Sequence, residues 1–294
     1  MAFFNDGICQ LQCLQSRAMG TSNLNTETKN ARIDMAEANI PAILLAGGKG
    51  TRLQAVLASK PKPLALVGNI PFLELLVMQL RSQGIRRMIM STGHFADQIE
   101  EAFGDGRRWN ADIQYSRESQ PLGTAGAVKF AERHLEQSSD FLVINGDSFM
   151  EMDLREFVCF HHQHRGLASM AVRAVTDAAR YGTVHVDGFN RISGFNEKTG
   201  NTSPGIINAG VYMFRRPVLE SIPQGPSSLE KDVFPRLLMQ GIYASEQDGL
   251  FIDIGTPEDY TRAQGLCQEL YQAAIAAPQL GSRKRSGSVT QPHD

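Results

Sequence analysis

The chain has 294 residues, 42% hydrophobic and 20% charged, a balance that allows a sizeable buried core and excludes a fibrous or wholly disordered chain. Its 29 basic and 31 acidic residues leave a formal net charge of −2, which argues against a general nucleic-acid surface. No apolar run approaches the roughly 20 residues of a membrane helix, and 4 cysteines without paired spacing supply neither a disulfide framework nor a zinc site.

Residues 1–38 read as a variable or disordered extension, with Cys9 and Cys13 among glutamines and no basic start before an apolar stretch. Unpaired cysteines suit a reducing cytoplasm. A folded domain is expected over 39–272, followed by a disordered polar tail over 273–294. Its first predicted strand is the apolar run Ile43, Leu44, Leu45 and Ala46, suited to burial on both faces. Gly47-Gly48-Lys49-Gly50-Thr51-Arg52 follows, and its glycines permit positive φ and let N–H groups approach a polyphosphate, with Arg52 as a charge beside it. A dinucleotide fingerprint would need glycine where Leu53 stands, and a Walker A loop would need Gly-Lys-Ser/Thr in place of Gly-Lys-Gly. Taken alone, the turn is equally an ordinary βα connection. Pro61-Lys62-Pro63 then holds a second cation between residues of fixed φ.

Phe72, Leu73, Leu76 and Leu80 predict a helix that stops at Gly84. A strand over 88–92, a helix over 96–103 and a strand over 112–116 follow, an alternation that predicts a doubly wound, mainly parallel sheet. The small residues of Glu118-Ser119-Gln120-Pro121-Leu122-Gly123-Thr124-Ala125-Gly126-Ala127 allow a base or ribose to lie against a helix start; tight packing at a helix N-terminus is the plainer reading for Ala125 to Ala127. An apolar strand over 141–144 ends in Asn145-Gly146-Asp147, placing an acid where open α/β sheets bind ligands, although a turn or helix cap would also use it. His161, His162 and His164 close a predicted helix over 153–163, where the helix dipole favours cations, and they lack the companions of a metal site.

After a strand over 168–175 the pattern turns to short β segments. Tyr181-Gly182-Thr183-Val184 leads into one, residues 191–195 form a partner, and Glu197-Lys198 follows. Ser227 and Glu230 can form a capping box before a helix carrying Val233, Phe234, Leu237 and Leu238. Asp253 lies within the apolar strand 250–254, where a carboxylate is costly unless paired or metal-bound. Thr256 as N-cap, Pro257 at N1 and Asp259 at N3 predict a final helix to Tyr271.

LLAGGKGTRL followed by KPKPL resembles the signature of the nucleotide-diphospho-sugar pyrophosphorylases, or sugar-1-phosphate nucleotidyltransferases, and the similarity runs over residues 40–270. The resemblance implies an α/β, Rossmann-like, doubly wound and mainly parallel mixed sheet of the GT-A-like nucleotidyltransferase kind, with a small β-rich sugar-binding part. It implies catalytic roles for Arg52, Lys62 and Lys198, and magnesium ligation by Asp147 and Asp253. Nucleotide contacts fall on Leu45, Ala46, Gly47, Gly48, Gly50 and Thr51, with Gln120, Gly123, Thr124 and Asn145; sugar contacts fall on Gly182, Glu197 and Asn208. The implied reaction joins a nucleoside triphosphate to a sugar 1-phosphate, giving a nucleotide sugar and pyrophosphate without a covalent intermediate.

Within the family, PLGTAGA, INGDSF and FIDIGTPEDY look most like guanylyltransferases acting on D-glycero-α-D-manno-heptose 1-phosphate, with mannose 1-phosphate next and an amino-sugar uridylyltransferase third. GTP and a sugar 1-phosphate are thus the expected partners, without nucleic acid or membrane and with a homo-oligomer left open. The short stretch after the final helix leaves no space for a left-handed β-helix, so acyl transfer is not expected. From a different class, a non-catalytic nucleotide-sugar-binding module would keep the fold and lose Asp147, Asp253 or Lys62.

Overall fold

The computed structural model describes residues 35, 39–48, 50, 53, 61–135, 138–196, 200 and 202–277. β1 (Ala42–Leu45) precedes a small antiparallel pair, β2 (Leu66–Val67) and β3 (Ile70–Pro71). Helices and strands then alternate: α1 (Phe72–Ser82), β4 (Arg87–Thr92), α2 (Ala96–Phe103), β5 (Asp112–Arg117), α3 (Gly123–Phe130) and β6 (Asp140–Asn145). Strands β6, β1, β4 and β5 are neighbours in that order and parallel throughout, with Leu44 opposite both Met90 and Ile144.

Burial on both faces explains the unbroken apolar run of β1. Leu44 packs with Met88, Met90 and Ile144 beneath Leu73 and Leu76 of α1, whereas Ile43 packs with Ile89 and Val143 against Val128 of α3. Each such side chain, removed from water, contributes about 1.5–3 kcal/mol. Alternate residues therefore anchor the strand to two different cores.

β7 (Ser148–Met150), α4 (Leu154–Gln163), β8 (Ala168–Val175), β9 (Thr183–Val186), β10 (Ile192–Asn196) and β11 (Gly205–Arg215) follow. The chain continues with α5 (Phe234–Leu237), β12 (Ile242–Glu246), β13 (Phe251–Asp253), α6 (Pro257–Gly265) and α7 (Cys267–Ile275). β11 lies antiparallel to β6, so the sheet is mixed, and it carries the β9–β10 antiparallel hairpin and the β8–β12 pair on the side away from β5. The expected α/β sheet with a parallel centre and a β-rich second part is what forms.

Three local expectations are corrected. The final helix is two, because Leu266 leaves helical backbone (φ −111°, ψ 20°) and redirects the chain so that Leu270 and Ala274 join the core of α1. The cap before α5 is Ser228 rather than Ser227: its Oγ accepts from Lys231 N at 3.2 Å, and its own N–H donates to Asp232 at 2.7 Å. Ser227 is spent on α3, its carbonyl accepting from Ala125 N at 3.0 Å and Gly126 N at 3.2 Å. A one-turn π segment, Leu229–Val233, absorbs the shift.

The third concerns the histidines. His161 is buried at 1% exposure with Nδ1 2.9 Å from Ser169 Oγ, and burial drives its pKa down to about 3, against the helix dipole. His162 meets Asp140 at 3.2 Å, and His164 Nδ1 lies 2.7 Å from the Phe160 carbonyl, so the group packs α4 onto the sheet. Among the described residues, no helix is long and apolar enough to cross a membrane.

Candidate active site

The carboxyl ends of β1 and β6 lie side by side, so the glycine turn after one faces the Asn145-Gly146-Asp147 turn after the other. β13 pairs with β7 in the register Asp253 opposite Ser148, which brings a second acid to the same place. Ser148 Oγ spans the two carboxylates, 3.3 Å from Asp147 Oδ1 and 3.0 Å from Asp253 Oδ2. Lys62 enters from the 3₁₀ turn Lys62–Leu64, held by its flanking prolines, and its Nζ lies 2.7 Å from Asp147 Oδ2.

The electrostatics of this cluster call for positive charge. Burial pushes the Asp253 carboxyl above its usual range, the nearby Asp147 pushes it further, and Lys62 with the Gly255 N–H at 2.6 Å pulls the other way. Two crowded carboxylates backed by hydroxyl and amide donors suit a hard divalent cation that keeps positions open for phosphate oxygens.

A cleft of about 610 Å³ opens over this cluster. One wall is Leu45, Ala46, Gly48, Gly50 and Lys62; the other carries Arg180, Tyr181, Thr256 and Asp259. Of the three glycines in the turn only Gly50 uses positive φ, at 59°, where a side chain would also meet Lys62 Cβ at 2.9 Å. Lys49, Thr51, Arg52, Glu197 and Lys198 lie outside the described residues.

Several residues expected at the nucleotide or sugar have other neighbours. Gln120 is exposed and away from the cleft lining, and Gly123 meets the Ser227 carbonyl. Thr124 Oγ1 accepts from Leu229 N at 2.8 Å and donates to Glu230 at 3.0 Å. At a bulge in β11, Gly210 packs on Asn145, while Asn208 Oδ1 accepts from Gly210 N at 2.9 Å and its amide donates to Tyr212 Oη at 2.7 Å. Gly182 stands at the start of β9, beside the Asn196 carbonyl.

Sequence reasoning missed Glu118 and Arg180. Glu118 follows β5 directly, with Oε1 accepting from Ser91 Oγ at 3.1 Å and Oε2 from Leu122 N at 3.0 Å. Its Oε1 lies 3.3 Å from where a side chain on Gly47 would begin, and burial raises its pKa. An acid at the end of a parallel strand is the signal that singled out Asp147, and it applies to Glu118 as well. Arg180 donates to Asp259 Oδ1 at 2.6 Å and to Thr256 Oγ1 at 3.2 Å. Asp259 was read only as a helix-start residue, which it also is, since its N–H donates to Thr256 Oγ1 at 3.3 Å.

The sequence matches the profile of a family described as "Nucleotidyl transferase" over residues 41–269. It is 37% identical over 250 residues to a "Mannose-1-phosphate guanylyltransferase" of Mycobacterium tuberculosis, covering 84% of this chain and 68% of that protein. It is 38% identical over 225 residues to a "D-glycero-alpha-D-manno-heptose 1-phosphate guanylyltransferase" of Aneurinibacillus thermoaerophilus, covering 76% and 96%. The crystal structure of HddC from Yersinia pseudotuberculosis complexed with GMP-PN superposes with a TM-score of 0.69 at 34% identity, covering 77% of this chain and 98% of that one. The match runs along nearly the whole described chain, on which the glycine turn and the two acids converge, and this chain belongs to the nucleotidyl transferase family.

Proposed function

We propose that this nucleotidyltransferase joins GTP to a sugar 1-phosphate, with D-glycero-α-D-manno-heptose 1-phosphate as the preferred sugar and mannose 1-phosphate as the second reading. The observation that carries it is the Lys62–Asp147–Asp253 cluster facing the glycine turn, which suits the meeting of two phosphate anions. Magnesium held by Asp147 and Asp253 would supply charge neutralisation at the reacting phosphate. Lys62, which pairs with Asp147, is taken to turn its ammonium to a phosphate oxygen. Arg52 and Thr51 are taken to hold the triphosphate with Gly48 and Gly50, and Lys198 the sugar phosphate. Gly182, Glu197 and Asn208 are taken as sugar contacts, Asn208 reaching a hydroxyl by exchanging a bond to Gly210 or Tyr212. Residues 39–272 are taken as the catalytic unit, with α7 running on to Ile275. We place it in the cytoplasm, a setting that suits the free thiols of Cys159 and Cys267.

Guanine preference is assigned to Glu118. Guanine presents donors at N1 and N2 on one edge, and a carboxylate beside Gly47 has lone pairs left to accept both. The names of the two bacterial relatives support the same base. The test is pyrophosphate release with GTP, UTP, CTP and ATP against heptose, mannose and N-acetylglucosamine 1-phosphates. GTP with heptose 1-phosphate should lead, and Glu118→Gln should cut the GTP preference by roughly 10²-fold or more. Turnover with UTP and the amino sugar alone would overturn the guanylyl reading.

A further inference from the structure

Arg180 is the cation of the cleft for which the family signature gave no role, and its setting differs from that of an ordinary surface arginine. Its side chain is 50% exposed, yet it is gripped at one end by Asp259, whose side chain is only 9% exposed. Asp259 is itself fixed from both sides: Oδ2 accepts from Thr256 Oγ1 at 3.0 Å, and its N–H is bonded to the same hydroxyl. The start of α6 therefore serves as a mount that orients the guanidinium. Ion pairs this exposed contribute little to stability. The same arrangement leaves further N–H donors on a rigid planar fork at the wall of a cleft that also holds Asp147 and Asp253.

The position along the cleft names the ligand. Tyr181, next in sequence, lines both the 610 Å³ cleft and a second hollow of about 380 Å³ between β9, β10 and residues 203–206. If the sugar occupies the β-rich hollow and the nucleotide phosphates lie over the acids, the phosphate joining them passes Arg180. We propose that Arg180, mounted on Asp259 and Thr256, is a positioning residue for the phosphate of the incoming sugar 1-phosphate. This rests on the nucleotidyltransferase reading. A preoriented fork that meets a phosphate bidentately holds its oxygen in line for attack and offsets repulsion from Asp147 and Asp253.

The experiment measures KM for sugar 1-phosphate and for GTP separately in the wild type, Arg180→Ala and Arg180→Lys, with thermal melts of each. Arg180→Ala should raise the KM for sugar 1-phosphate by about tenfold or more while that for GTP moves by less than about twofold. Lysine should restore part of the loss, since it keeps the charge without the fork, and added guanidinium should recover turnover of the alanine variant. Calorimetric titration with mannose 1-phosphate in the absence of GTP should show the same weakening without turnover. Equal KM effects on both substrates, or a lowered melting temperature with unchanged KM values, would overturn the role of Arg180. An inactive wild type across the whole substrate panel would instead overturn the functional reading beneath it.

Discussion

Asp253 sits where a carboxylate is least comfortable, on a short strand between Ile252 and Ile254, both buried, and beside another carboxylate. Ser148 Oγ and Gly255 N donate to Asp253, and a carboxylate buried in such a place is costly unless an opposite charge compensates it. Asp147 differs in being more exposed and already paired, with Lys62 as its counter-ion. Asp147→Asn and Asp253→Asn should each lower kcat by roughly 10²-fold or more, with the fold intact, because charge stabilisation at the transition state is lost. Steady-state turnover with saturating magnesium checks this, and near-normal rates in both variants would remove the metal assignment.

At the scale of elements, the site depends on how closely the turn after β6 approaches β1. Gly146 N donates to the Leu45 carbonyl at 3.0 Å, and a Cβ on Gly146 would lie 2.6 Å from that same oxygen, closer than real contacts allow. Gly146→Ala must therefore push the turn away from β1 and carry Asp147 with it. We expect a loss of about 1–3 kcal/mol in urea unfolding. Turnover should fall further than the lost stability explains, since displacement of about 1 Å at a positioned group costs rate steeply. An unchanged denaturation midpoint would mean that the turn has slack. Separately, Gly47 leaves space for Glu118, whose Oε1 lies 3.3 Å from where a side chain there would begin.

Across the molecule, one mixed sheet separates two apolar cores, and a buried histidine of α4, His161, makes one contribution to the response of the fold to acid. His161 takes a proton near 6.5 when unfolded and only near 3 when folded. Between those values the unfolded chain holds more protons, so stability falls as the pH drops, beginning near 6.5 and steepening towards about 1.4 kcal/mol per pH unit. His161→Gln should flatten this slope between pH 7 and pH 5 in urea unfolding, because glutamine can still meet Ser169 and does not titrate. A variant with the same slope as the wild type would place the acid sensitivity elsewhere.

What the sequence by itself determined was whatever is written in local pattern. The alternation of apolar runs specified β1, α1, β4, α2, β5 and β6, since burial on two faces or one stripe leaves a period that neighbouring residues carry. Asp147 and Asp253 stood out because a charge at the end of, or inside, an apolar strand is anomalous on its face, as was Lys62 between two prolines. Tertiary structure decided which groups meet. Glu118 reaches Gly47, and Arg180 reaches Asp259, through strand order and register, and their polar surroundings in sequence look like any solvated turn. Ser227 lost its cap role to Ser228 because its carbonyl was claimed by α3, about a hundred residues away, and His161 lost its charge because α4 buried that face. A hydrogen bond or a desolvation cost depends on distance in space, which the order of residues along the chain records only where the partners are neighbours.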